Sequence, residues 1–258
     1  MLTDRQTQLL DFVIREYVRT AEPVGSALVC EKGDFSVSPA TIRNEMNELE
    51  AQGYLTQPHT SAGRIPTDKA YRLFVNNLLA EGRYGVDPRH KRRIDSALSA
   101  AGDSPHELNK NAAQVIADLS DSLVITNVAD SGSFYKTGLS SLFEFPEFQE
   151  MRQALGLTDF FDHFDELFGR IQEAFFRELD EGAGFRISIG RENPFRNIQD
   201  ETVMVAQYRL PRRYEGSMTI IGPIRMDYRK NIGLVSYTAE ALNKRALHQN
   251  GTGRAHHD

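Results

Sequence analysis

Apolar residues in the first third of the chain return at helical spacing, and each run is fenced by residues that start or stop helices. Leu10, Val13, Ile14 and Tyr17 fall at i, i+3, i+4 and i+7, which predicts a first helix capped at Thr3, with Gln6 placed to complete a capping box. Thr20–Ser26 breaks the period, and Val24–Lys32 predicts a shorter second helix stopped at Gly33. Ile42, Met46 and Leu49 form one stripe on a third helix, Ser38–Glu50. There Ser38 is the N-cap and Pro39 opens the first turn, where a missing N–H costs nothing. Gly53 marks its end. Tyr54–Gln57 and Arg64–Pro66 read as short extended runs around a small polar loop tipped by Gly63. Thr67 then caps a further helix over Asp68–Leu79, with Tyr71, Phe74, Val75 and Leu78 on one face.

Helix, helix, turn, helix, hairpin is the order of a winged helix-turn-helix, expected here over residues 1–80. Residues 81–88 are dense in Gly, Pro and charge, so a linker is expected over 81–106. Glu107–Leu119 reads as a helix with Ala113, Ile116 and Ala117 inward, leading into an apolar run, Ser122–Thr126, that suits a strand. Thr158 is placed to cap a long helix striped with Phe160, Phe164, Leu167, Phe168, Ile171, Phe175 and Leu179. Beyond it, Phe185, Ile187 and Ile189, then Val203 and Val205, then Met218–Ile221 alternate like strands of a half-buried sheet, and Asp227–Leu242 closes the domain as a helix. The expected class is α+β: a winged helix-turn-helix, then a domain over 107–247 with a helical segment at 140–181. The tail, 248–258, lacks an apolar period and is expected to be disordered.

The third helix is where candidate chemistry concentrates. Opposite its apolar stripe stand Ala40, Asn44 and Asn47, with Arg43 on one flank and Thr41 and Glu48 on the other. Asn pairs bidentately with adenine, Arg with guanine, and Ala meets a thymine methyl, the contacts a DNA major groove offers. The plainer reading is an amphipathic helix with a polar outer face. Ser38 and Thr41 at the helix start, and His59, Thr60, Ser61 and Arg64 on the hairpin, suit phosphate oxygens. An ordinary exposed turn would look similar.

Composition limits the classes. The net charge of −6 gives the whole chain no bulk attraction to nucleic acid or anionic membrane, so polyanion binding must be local. One cysteine, Cys30, excludes an internal disulfide and a CxxC zinc site, which suits a reducing compartment. No signal peptide or membrane span is legible, and a cytoplasmic protein is expected. The sequence has no G-x-S-x-G elbow, P-loop, H-E-x-x-H or dinucleotide fingerprint, and neither catalysis nor a cofactor or metal is expected. Asp159, Asp162, His163, Asp165 and Glu166 read as an acidic helix start that the dipole favours rather than a metal site. Arg89–Arg93 is either a phosphate contact or a solvated helix start. The aromatic stripe packs within its own domain or forms a subunit interface through Phe160, Phe164, Leu167, Phe168, Ile171 and Phe175.

Three stretches carry a family resemblance. TAEPVGS (20–26), SPATIRNEMNELEAQGYL (38–55) and QPHTSAGRIPT (57–67), in this order, resemble the DNA-binding end of the heat-inducible transcription repressor family, HrcA; IGREN (189–193) and GPIRMDY (222–228) are similar to its C-terminal part. The resemblance implies a homodimer that binds an inverted repeat in double-stranded DNA ahead of chaperone genes. It further implies a GAF-like C-terminal domain with an inserted dimerising segment, and a GroEL-type chaperonin as partner. The chain departs from the family after Asn127, where a long block of strands and helix is missing, so a reduced GAF-like domain is expected. Two alternatives stay open: a winged-helix module for protein or RNA, and a ligand-responsive regulator of other genes.

Overall fold

The chain's capping residues set its first four helices. In the computed structural model, which describes residues 2–129, 134–149, 151–164 and 184–252, helix α1 spans Asp4–Thr20 with the Thr3–Gln6 capping box formed in both directions. Helix α2 is Ser26–Lys32, two residues shorter at its start than the period suggests, because Gly25 supplies the extended N-cap conformation. Helix α3 is Pro39–Ala51, β1 is Leu55–Thr56, β2 is Ile65–Pro66 and α4 is Asp68–Ala80, capped by Thr67. Leu9, Leu10, Val13 and Ile14 of α1, Ile42 and Leu49 of α3, and Tyr71 and Val75 of α4 lie buried in a core that one face of each helix builds. These elements belong to one unit, Met1–Arg83 together with Ile224–Asp227.

The second unit, Tyr84–Pro223 and Tyr228–Asp258, opens with helix α5 (Pro88–Ala100), inside the segment expected as a linker. The expectation fails because Asp87 and Pro88 form an N-cap and first helical residue, while Ile94 and Leu98 bury one face. Helix α6 (Pro105–Ser120) starts the same way at Ser104 and Pro105. Then come β3 (Leu123–Val128), β4 (Phe134–Thr137), the short α7 (Leu139–Leu142), α8 (Met151–Asp162), β5 (Phe185–Ile189), β6 (Glu201–Arg209), β7 (Glu215–Pro223) and α9 (Tyr228–Thr252). The five strands form one antiparallel sheet in the order β4-β3-β7-β6-β5.

That sheet is covered on both faces, not half-buried as the alternation suggests. Leu123, Ile125, Val203, Val205 and Ile221 meet Leu142, Phe148, Phe160, Phe164, Phe195 and Ile198 on one side. The intervening positions Val124, Met204, Ala206, Met218 and Ile220 are buried on the other, where α6 contacts β3 and α9 contacts β6. Among the polar groups there, Thr126 Oγ1 donates to Asn109 O and Tyr208 Oη to Asn109 Oδ1. Thr158 lies inside α8 rather than capping it, because a good helix-forming run begins at Met151. Helix α9 runs ten residues beyond the apolar pattern, through Thr252, so residues 248–252 of the expected tail are helical.

Candidate nucleic-acid interface

Helix α3 is held by its ends and its inner face, which leaves its outer face to solvent. Ser38 Oγ accepts from Thr41 N at 3.2 Å and lies 3.0 Å from Thr41 Oγ1. At the other end Gly53, with φ of 77°, donates to Glu50 O, and Tyr54 N donates to Leu49 O. This pair of bonds is a Schellman stop, and it needs the left-handed conformation that glycine adopts without strain. Glu45, also facing inward, is ion-paired to Arg5, and Gln6 Nε2 donates to Glu48 Oε2 at 2.8 Å, so α1 is tied to α3 by polar bonds as well as apolar packing. The heptad stripe does not reveal these two bonds.

Of the residues expected to read bases, Ala40, Arg43, Asn44 and Asn47 are all exposed. Ser38 and the hairpin residues His59, Thr60 and Ser61 are exposed too, and Thr41 is half-buried. Arg64 is placed differently from the phosphate-gripping role that the sequence suggests. Its Nε lies 2.8 Å from Glu50 Oε2, its Nη2 donates to Asn47 Oδ1 at 2.9 Å, and its side chain is only 14% exposed. The guanidinium therefore joins the hairpin to α3 and fixes the Asn47 amide. The Asn47 oxygen keeps a second lone pair and its nitrogen two donors, the set that pairs with adenine.

The hairpin is braced at tip and base. Gln57 Nε2 donates to Thr60 O and Ala62 O, Thr67 Oγ1 donates to Gly53 O, and Lys69 Nζ donates to Gln52 O while standing 4.4 Å from the centre of the Tyr54 ring. Val24 and Arg64 exchange both backbone bonds, at 2.9 and 2.8 Å, which joins the chain before α2 to the hairpin. Gly63 makes this approach possible, because a Cβ there would stand 2.5 Å from the Val24 carbonyl. The PVG and SAG stretches, separate in sequence, are thus one joint. Between α2, α3 and the hairpin runs an open groove of about 590 Å³, bordered by Ser26, Arg43, Asn47, Thr60 and Ser61.

The surface is not cationic. Residues 1–83 hold nine Lys and Arg against eleven Asp and Glu. Arg5, Arg15, Arg19, Lys32, Arg64 and Arg83 are committed to carboxylates, whereas Arg43 has no partner among the described residues. The Arg19 guanidinium, and beside it Lys32, holds the Glu16 carboxyl below its ordinary value.

Two candidates fall elsewhere. Phe160 and Phe164, which the sequence assigns either to their own domain's packing or to a subunit interface, are 2% and 0% exposed within the second unit's own core. Phe160 packs against Phe164 at 5.7 Å and against Phe195 at 6.1 Å, which leaves neither ring surface for a second subunit. Leu167, Phe168, Ile171 and Phe175 lie outside the described residues, as do Asp165 and Glu166. Within IGREN, Asn193 is buried and its Nδ2 faces the carbonyls of Gly190, Ile198 and Glu201 at 2.8 to 3.0 Å. Among the described residues no three His, Cys, Asp or Glu side chains group as metal ligands, and no helix is long and apolar enough to cross a membrane.

Comparison with known proteins agrees with this layout. Residues 75–232 match the model for the HrcA protein C terminal domain, and residues 27–67 match a DeoR-like helix-turn-helix domain. A heat-inducible transcription repressor HrcA from Halalkalibacterium halodurans is 26% identical over 341 aligned positions that cover 95% of this chain and 97% of that one. An alignment longer than this chain's 258 residues must contain gaps on its side, in keeping with the missing central block. The Frankia casuarinae protein of the same name is 50% identical over 103 residues, 40% of this chain and 30% of its own. A crystal structure titled a hypothetical protein matches with TM-score 0.79 at 20% identity, covering 96% of this chain and all of its own, which shows a shared fold.

Proposed function

The chain belongs to the HrcA family, and from that premise we propose that it is a homodimeric, sequence-specific repressor of heat-shock genes that binds an inverted repeat in duplex DNA. The observation that carries this reading is the outer face of α3. Ala40, Arg43, Asn44 and Asn47 stand exposed on a helix anchored everywhere else, beside a braced hairpin. In this reading those four side chains meet base edges in the major groove, while Ser38, Thr41, His59, Thr60 and Ser61 touch sugar and phosphate. Arg64 orients Asn47.

The excess of carboxylates over cations in residues 1–83 makes one copy a poor binder, so two copies on one duplex supply useful affinity. Half-sites about 34 Å apart, one helical turn, are then expected, with two-fold symmetry in the sequence. Bound there, the dimer blocks transcription.

Selection of duplexes from a random pool by the purified protein, with its mass measured in solution, tests the reading. An enriched inverted repeat and a dimer mass support it; no enrichment would sink it. On the enriched site Arg43→Ala should weaken binding by about 1–3 kcal/mol, with little change on random duplex. An equal loss on both would demote Arg43 to a phosphate contact.

A further inference from the structure

Helix α5 carries its charge against its own dipole. Asp87 caps it, but Arg89, Lys91, Arg92 and Arg93 fill its first two turns and its first turn holds no acidic residue, although the N-terminal end of a helix favours carboxylates. Arg89, Arg92 and Arg93 stand at i, i+3 and i+4, where like charges repel, and all three are exposed. Compensation is thin. Arg93 Nη2 is 3.6 Å from Asp118 Oδ2, and no ion pair joins Arg89 or Arg92 among the described residues. Lys91 points elsewhere, 5.2 Å from the centre of the Tyr237 ring. The three arginines line one side of an open groove of about 570 Å³, with Asn111 and Gln114 of α6 opposite. Such a ridge costs stability in the free protein and is relieved by an anion laid along it.

We propose that the Arg89–Arg92–Arg93 ridge binds the phosphate backbone of duplex DNA. The inference rests on the DNA-binding reading above and adds a second contact surface to it. Backbone affinity comes from unpaired cations that displace counterions. Most cations of residues 1–83 are already bound to carboxylates, whereas α5, starting five residues after Arg83, offers Arg89 and Arg92 with no ion pair among the described residues, beside Arg93, whose nearest carboxylate oxygen stands 3.6 Å away. An extended, regularly charged polyanion fits a row of arginines along an open groove better than a single small anion does.

The test compares wild type with Arg89→Gln/Arg92→Gln/Arg93→Gln on the selected duplex, with long flanks, and on a random duplex of the same length, across a salt series. Glutamine keeps the helix propensity, and thermal melting confirms folding. The expected result is a slope of log affinity on log salt shallower by roughly 2–3 per chain, with a loss of roughly tenfold or more that is equal on both duplexes. An unchanged slope with sequence preference intact would overturn the ridge proposal and leave the repressor reading standing. A shallower slope in a protein without sequence preference would do the reverse. A change of solution mass with an unchanged slope would assign the ridge to an acidic protein surface and overturn the DNA proposal.

Discussion

The two units of this chain are built by different kinds of contact. In the first, the helix caps and the hairpin tip that shape the candidate interface are closed over short stretches of chain, Ser38 to Thr41, Gly53 to Glu50 and Gln57 to Ala62, and longer ties such as Asn47 to Arg64 and Gly53 to Thr67 still span only 17 and 14 residues. In the second, the sheet is closed by distant partners, as where Tyr208 reaches Asn109 and Ser217 reaches Asn127 across 99 and 90 residues. A surface made by local bonds can change its exposed residues without disturbing a core, which suits a surface that reads DNA. A sheet buried on both faces tolerates little change and serves as a scaffold.

The contrast predicts its largest effect at Phe160. Replacement by alanine should destabilise the second unit by about 3–5 kcal/mol, because the ring is buried between Phe164 and Phe195 and the cavity cannot refill. Denaturant unfolding measures it. If the dimer separated while the subunit kept its stability, Phe160 would belong to an interface after all.

A smaller effect, with a pH signature, is expected at Glu201. This carboxyl opens β6 at 1% exposure, and burial, reinforced by Asp200, pushes it up to about 8. The unfolded chain ionises near the ordinary 4.5 while the folded chain holds its proton until about pH 8, so stability is full below 4.5 and falls as pH rises between the two values. Glu201→Gln removes that slope. Its stability relative to wild type should improve by about 3 kcal/mol between pH 5 and pH 8. A constant difference across that range would show that the carboxyl does not titrate there.

This same contrast explains what the sequence disclosed. The caps that Thr3, Ser38 and Thr67 place on their helices, and the stop at Gly53, are bonds over a few residues of chain, so these residue types name those roles. Phe160 and Phe164 are as apolar as an interface would require, and periodicity cannot distinguish the subunit's own core from a partner's surface. The second face of the sheet was hidden for a related reason. Thr126, Met204 and Ala206 look permissive until Asn109 and the neighbouring helices cover them. Of the candidate interface, the exposed face of α3 was legible from its period. The Arg64 contacts are not legible there, because Glu50 and Asn47 meet it only when the hairpin folds back.

Arg64 therefore offers the finest test of local wiring, and the smallest effect. A strut and a phosphate contact lose different things on Arg64→Gln. As a strut, its loss frees the Asn47 amide and leaves Glu50 unpaired, costing about 1 kcal/mol on the selected duplex, little on random duplex, with the salt slope unchanged. As a phosphate contact, its loss weakens both duplexes alike and makes the slope shallower by about 1 per chain. A salt series on the two duplexes separates the cases. Glu50→Gln, which removes the carboxylate and spares the cation, should reproduce the strut phenotype in part. Were it instead to tighten both duplexes equally, the Glu50 charge would be acting by repelling phosphate, and Arg64 would be a backbone contact that Glu50 screens.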